Sequence, residues 1–109
     1  MTLDEFIARD PDAFPRNSYV DEPGFESLYV RWGRHCIDDE QLICLDIANV
    51  TAERTGKGTF KRLIKRLREK QPNTPIYVES VQTERFCKGL LRMGFKYVAK
   101  TVPPSFLMR

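Results

Sequence analysis

Apolar positions recur with two different periods along the chain, and the switch between them outlines the fold. Residues 42–50 are a nearly continuous apolar, β-branched run broken only by Asp46 and Asn49, which predicts a buried strand. Phe60, Leu63, Ile64 and Leu67 then recur at i, i+3, i+4 and i+7. That spacing predicts an amphipathic helix from about residue 58 to residue 70, ended before Pro72. Upstream, residues 25–36 alternate, with Leu28, Val30 and Trp32 on one face and Tyr29, Arg31 and Gly33 on the other. This is a half-buried strand, and the polar turn Asp38-Asp39-Glu40 folds it into an antiparallel pair with residues 41–50.

The remaining elements are shorter. Residues 2–9 predict a helix with Leu3, Phe6 and Ile7 on one side, ended by Pro11 and Pro15; residues 10–24 read as loop. Residues 76–81 are a short β-branched strand, and Thr83 caps a second helix. That helix carries Phe86, Leu90 and Met93 on one side, with Cys87 and Leu91 beside them, and Gly94 stops it at C′. Residues 95–102 predict a further strand, Pro103-Pro104 interrupts, and residues 105–108 add a last one. A helix separates strands 42–50 and 76–81, so they are expected to be parallel neighbours joined by a right-handed crossover. The fold class is α/β with an α+β mixed sheet: a central sheet built as a β-hairpin and then β-α-β-α-β, flanked by helices.

Composition narrows the class. At 109 residues, one domain spanning 1–109 is expected, with 41% hydrophobic residues sufficient for a small core. No apolar run approaches the ~20 residues of a membrane span. The start, MTLDEFIARD, is acidic and lacks a signal-peptide h-region, so a cytoplasmic protein is expected, in the host cell if it is viral. Cys36, Cys44 and Cys87 are odd in number and show no CxxC spacing, as expected of free thiols in a reducing compartment. His35 beside Cys36 does not make a metal site, and no metal is expected.

Charge changes the picture more. Residues 1–53 carry 4 basic and 12 acidic side chains, whereas residues 54–109 carry 14 basic and 3 acidic ones. The excess is concentrated on the turn Arg54-Thr55-Gly56-Lys57-Gly58-Thr59 and the helix that follows. Glycines let a backbone approach a ligand closely, and the first N–H groups of a helix lack internal partners at the positive end of its dipole. A phosphate or pyrophosphate suits such a place, with Arg54 and Lys57 adding full charges. Thr59 is expected to cap the helix, or Thr55 if the helix begins at the glycines. Gly-Lys-Gly-Thr is not a P-loop, and a dinucleotide fingerprint needs a third glycine and a larger fold.

At this point the chain resembles the GNAT superfamily of acetyl-CoA-dependent N-acetyltransferases, over about residues 41–98. One segment is Ile47-Ala48-Asn49-Val50 with the turn from Arg54 to Thr59, similar to the family's Gln/Arg-x-x-Gly-x-Gly/Ala. The other is Leu90-Leu91-Arg92-Met93-Gly94-Phe95, similar to the family's helix ending in Gly-Phe. The short length and Val78-Glu79-Ser80-Val81 also resemble small acetyltransferase-like proteins of phages. There are departures. With Gly58 as the inner glycine, Thr55 takes the Gln/Arg position and Phe60 the final Gly/Ala; Thr83 stands where Asn is frequent, and Leu90 where many members carry a thiolate-protonating Tyr. Residues 1–25 are shorter than the family's N-terminal part, which shapes its acceptor site.

The resemblance implies acetyl-CoA as co-substrate, its pyrophosphate on the turn amides, and an amine acceptor, either a protein lysine or a small molecule. The cofactor residues it implies are Ala48, Asn49, Val50, Arg54, Thr55, Gly56, Lys57, Gly58, Thr59 and Thr83. A backbone N–H near Ala48 to Val50, where that strand splays from its parallel neighbour, polarises the carbonyl. Asp46 and Glu79 are the candidate bases, each a carboxylate in an apolar strand; alternation allows them to face opposite sides. Cys87 and Tyr97 are substitutes for the missing acid, with solvent as the alternative. Trp32 and Tyr29 either line an acceptor groove or belong to the core. Two other readings compete: a GNAT-like module that has lost catalysis and docks on a protein, and a nucleic-acid binder using Lys61, Arg62, Lys65, Arg66 and Arg68. Few aromatics interleave with those cations, which disfavours nucleic acid.

Overall fold

The alternating segments fold into the hairpin they predict. In the computed structural model, which describes residues 1–54, 56–98 and 103–109, strand β2 (Phe25–Ile37) pairs antiparallel with β3 (Glu40–Ala52). Asp38 and Asp39 join them with φ of 49° and 64°. Positive φ at both central residues matches the twist of a two-residue hairpin. Before the hairpin come α1 (Leu3–Ile7) and β1 (Asn17–Tyr19); after it follow α2 (Thr59–Lys70), β4 (Ile76–Val78), α3 (Glu84–Arg92), β5 (Lys96–Val98) and β6 (Ser105–Met108).

The result is an α+β fold around a six-stranded mixed sheet in the order β1-β2-β3-β4-β6-β5. β3 and β4 are parallel, in the register Leu45–Ile76, Asp46–Tyr77 and Ile47–Val78; the other pairs are antiparallel. Strand alternation gives the sheet two unlike faces. On one, Leu28, Val30, Leu45, Ile47, Ile76, Val78 and Phe106 meet Leu3 and Phe6 of α1, Leu63, Ile64 and Leu67 of α2, and Leu90 of α3. The other carries a small cluster of Leu42, Cys44, Tyr77 and Leu107, to which none of the described helices contributes a residue.

Several expectations need correction. Residues 17–19, expected as loop, form β1 on the hairpin's edge. A three-residue edge strand takes its pairing from the strand beside it, so no run of its own announces it. Thr59 is not the cap of α2 but its first residue; Gly58 occupies the N-cap position with φ 72° and makes no side-chain cap bond. Thr55 lies outside the described residues, as do residues 99–102 of the strand expected over 95–102. The strand expected over 76–81 ends at Val78, and Leu91 is 41% exposed rather than packed. Thr83 does cap α3, accepting from the Phe86 N–H, and Gly94 follows the helix with φ 101°.

Leu63 is buried between α2 and the sheet, with 4% of its surface exposed. Leu63→Ala is expected to lower stability by roughly 2–5 kcal/mol in urea unfolding, through lost transfer energy and the cavity left behind. An unchanged midpoint would contradict this packing.

Candidate functional site

The site begins where the parallel pair comes apart. Pairing of β3 with β4 runs to Ile47–Val78, and the Glu79 N–H then donates to the Ile47 carbonyl at 3.2 Å. Ser80 has φ 52°, and the chain is drawn towards β6: its N–H donates to Ser105 Oγ at 3.1 Å, and the Val81 N–H to the Pro104 carbonyl at 2.9 Å. On β3 the register jumps from Val30–Ile47 to Tyr29–Asn49, so Ala48 is an extra residue. Such a bulge bends a strand and increases its twist. Asn49 and Val50 pair with β2 alone.

The gap opens into a cleft of about 790 Å³, within the range of small-molecule sites. One wall is Ala48, Asn49 and Val50; another is the turn with Arg54, Gly56, Lys57, Gly58 and Thr59; a third is the stretch from Glu79 to Thr83 with Arg85, Phe86 and Gly89 of α3. Phe60 and Phe86 meet edge to face at 5.1 Å, tying the two helices together at the cleft. Gly56 and Gly58 both hold left-handed backbone, with φ of 75° and 72°. The uncapped first N–H groups of α2 therefore keep the donors that an anion uses. Arg62 Nη1 donates to the Lys57 carbonyl at 2.7 Å and steadies the turn.

The cleft is cationic at this end. Arg54, Lys57, Lys61 and Arg85 line it, and none has an ion-pair partner among the described residues. The outer basic face of α2 differs. Arg66 pairs with Glu22, Lys70 with Asp4 at 2.8 Å, and Arg68 donates to the Arg109 carbonyl at 2.8 Å. The Lys70 hydrogen bond holds the Asp4 carboxyl below its ordinary range.

Of the candidate residues, Ala48, Asn49, Val50, Arg54, Gly56, Lys57, Gly58, Thr59, Thr83 and Glu79 are brought together around this cleft. Asp46 is not among its lining. Its side chain has no exposed surface and receives Arg31 Nε at 3.0 Å and His35 Nε2 at 2.9 Å. Burial pushes the Asp46 carboxyl up, against the pull of His35 and then Arg31. Glu79 joins the same group, since Arg31 Nη2 pairs with its Oε2. The two carboxylates thus meet one guanidinium rather than facing opposite sides of the sheet. Burial alone lowers the Arg31 pKa, but its bond to Asp46 and the charge of Glu79 outweigh this and leave it raised.

Other candidates fall elsewhere. Cys87 packs against the main core, and Tyr97 lies against Phe106 in the sheet; neither lines the cleft. Trp32 stacks on Phe6 while Tyr29 packs on Tyr19, so the two share no groove. The sequence pattern by itself does not mark Arg31, His35, Arg85 or Phe86 as site residues. For Arg31 a usable signal exists: it alternates in phase with Gly33 and His35, and an antiparallel hairpin sets that face against Asp46. No protein-family model, curated protein or solved structure matches this chain.

Proposed function

We propose that the protein is a GNAT-type, acetyl-CoA-dependent N-acetyltransferase whose acceptor is an amine, a protein lysine or a small molecule. One observation carries this reading. Residues assigned to the coenzyme by resemblance, from two segments far apart in the chain, line a single cleft whose cations at the glycine turn have no ion-pair partner among the described residues. The pyrophosphate sits on the turn amides beside Arg54 and Lys57, with Arg85 reaching over from α3. The thioester end lies towards the splay, where the β3 backbone at Ala48 to Val50 supplies the N–H that polarises the carbonyl.

Glu79 stands at the same opening with Oε2 taken by Arg31 and Oε1 without a partner among the described residues. It takes a proton from the acceptor ammonium. The freed nitrogen lone pair attacks the acetyl carbon, the C–S bond breaks, and coenzyme A leaves as thiolate. The nitrogen loses its second proton, and the thiolate takes one from solvent. Glu79→Gln is therefore expected to lower turnover ~10²–10⁴-fold, the usual contribution of a positioned base. Its acetyl-CoA affinity stays at the wild-type value. Calorimetric titration with acetyl-CoA and free-thiol release over a panel of amines measure the two quantities.

A second reading has its own support. Leu90 is completely buried where the family carries its acid, and neither Cys87 nor Tyr97 lines the cleft. A protein that holds acetyl-CoA without transferring it, and acts by docking, fits those facts. Tight acetyl-CoA binding with no thiol release across the panel decides for it. No described helix is long and apolar enough to cross a membrane.

A further inference from the structure

Asp46 is the only buried charged residue among those described, and it does not line the cleft. Its setting is elaborate for a carboxylate serving only the sheet. From β2, Arg31 Nε and His35 Nε2 reach it at 3.0 and 2.9 Å. The His35 ring is stacked on Tyr77 of β4, with ring centroids 3.9 Å and planes 13° apart. Cys44 lies two residues away on β3, its thiol pushed up to about 11 by burial and by the Asp46 charge. Gly33 leaves the space that the carboxylate fills: a Cβ there would lie 2.0 Å from Asp46 Oδ2.

The guanidinium joins this buried group to the cleft. Arg31 gives Nε to Asp46 and Nη2 to Glu79. A guanidinium is planar and rigid, so fixing one edge fixes the direction of the other. We infer that Asp46 and Arg31 are positioning residues, which hold the Glu79 carboxylate at the cleft with one oxygen engaged and the other open to the acceptor amine. This rests on the acetyl-transfer reading of the cleft. It replaces the expectation that Asp46 is itself a base: Asp46 acts through Arg31, and His35 closes its remaining side.

The test compares Asp46→Asn, Arg31→Gln and Arg31→Lys with the wild type in acetyl-CoA binding, in thiol release with the best amine of the panel, and in the pH profile of kcat/KM. Expected are a tenfold or greater loss of kcat for Asp46→Asn and Arg31→Gln, a smaller loss for Arg31→Lys, and an acetyl-CoA Kd within about twofold of wild type. The limb of the pH profile that reports the base moves in these variants. In Leu63→Ala, which only loosens the core, it stays in place. Wild-type kcat and pH profile in Asp46→Asn, or faster turnover in Arg31→Gln, overturn the inference.

An unfolding cycle keeps the linkage decidable if acetyl-CoA does not bind, in which case the acetyl-transfer reading itself fails. The urea midpoint shifts of Asp46→Asn and Glu79→Gln are expected to be non-additive in the wild-type background and additive once Arg31 is Gln. Additivity in both backgrounds overturns the linkage whatever the cleft binds.

Discussion

On the proposed reading, Gly58→Glu and Gly56→Glu are expected to lower acetyl-CoA affinity on the order of 10²–10³-fold, the charge effect alone amounting to about 4 kcal/mol for like charges 4 Å apart near a protein surface. Both positions hold left-handed backbone, and both are crowded by cations: a Cβ at Gly56 lies 3.3 Å from Arg85 Nη2, and one at Gly58 lies 3.2 Å from Arg62 Nη1. A carboxylate placed there would engage Arg85 or Arg62 and would repel the pyrophosphate of the proposed coenzyme. Left-handed backbone adds a strain of about 1–2 kcal/mol for any side chain, so Gly56→Ala and Gly58→Ala separate strain from charge. The alanine variants lose stability in urea and retain most of their affinity, whereas the glutamates lose affinity as well. Because Arg54, Lys57 and Arg85 are exposed, wild-type affinity is also expected to fall as salt is added. Calorimetry at two ionic strengths checks both statements. Wild-type affinity in both glutamate variants removes the turn as the site.

The cleft was legible in the sequence for a physical reason. Its walls are local motifs, a strand running into a glycine turn and a capped helix ending in Gly94, and each has its own period or punctuation. Arg54, Lys57 and Thr83 were placed by such local grammar, and the parallel neighbourhood of β3 and β4 followed from the helix between them. The group under the cleft is legible only in part, through the hairpin face that sets Arg31 against Asp46. Arg31, His35, Asp46 and Glu79 come together through cross-strand register, which on the hairpin is set by a turn whose exact length no periodicity states. Asp46 and Glu79 stand out as carboxylates in apolar strands, yet nothing in either strand says that one guanidinium on a third reaches both. The placement of β6 between β4 and β5 was hidden likewise, since strands of three and four residues carry too little pattern to specify a neighbour.

Gly33→Ala is expected to destabilise the fold by about 3–5 kcal/mol, the range for breaking a buried ion pair. The new methyl would lie 2.0 Å from Asp46 Oδ2 and 2.6 Å from its Cγ, distances that no packed structure holds. Asp46 cannot rotate away without giving up Arg31 and His35, and a carboxylate with no exposed surface has no water to replace them. Gly89 supplies the control. It lies inside α3, and a Cβ there meets nothing within 4 Å. The same change, Gly89→Ala, should therefore stabilise by about 0.5–1 kcal/mol through helix propensity and a less flexible unfolded chain. Opposite signs for the two glycines, read in one urea series, tie the effect to Asp46 rather than to alanine. Asp46→Ala takes the argument to its end. Alone it is expected to be destabilising, because it takes the buried carboxylate from Arg31 and His35 and leaves a void between them. In that background the methyl of Gly33→Ala has room, and its further cost should fall to within about 0.5 kcal/mol of zero. A full additional loss would mean that Gly33 is required by the backbone of β2 and not by the carboxylate facing it.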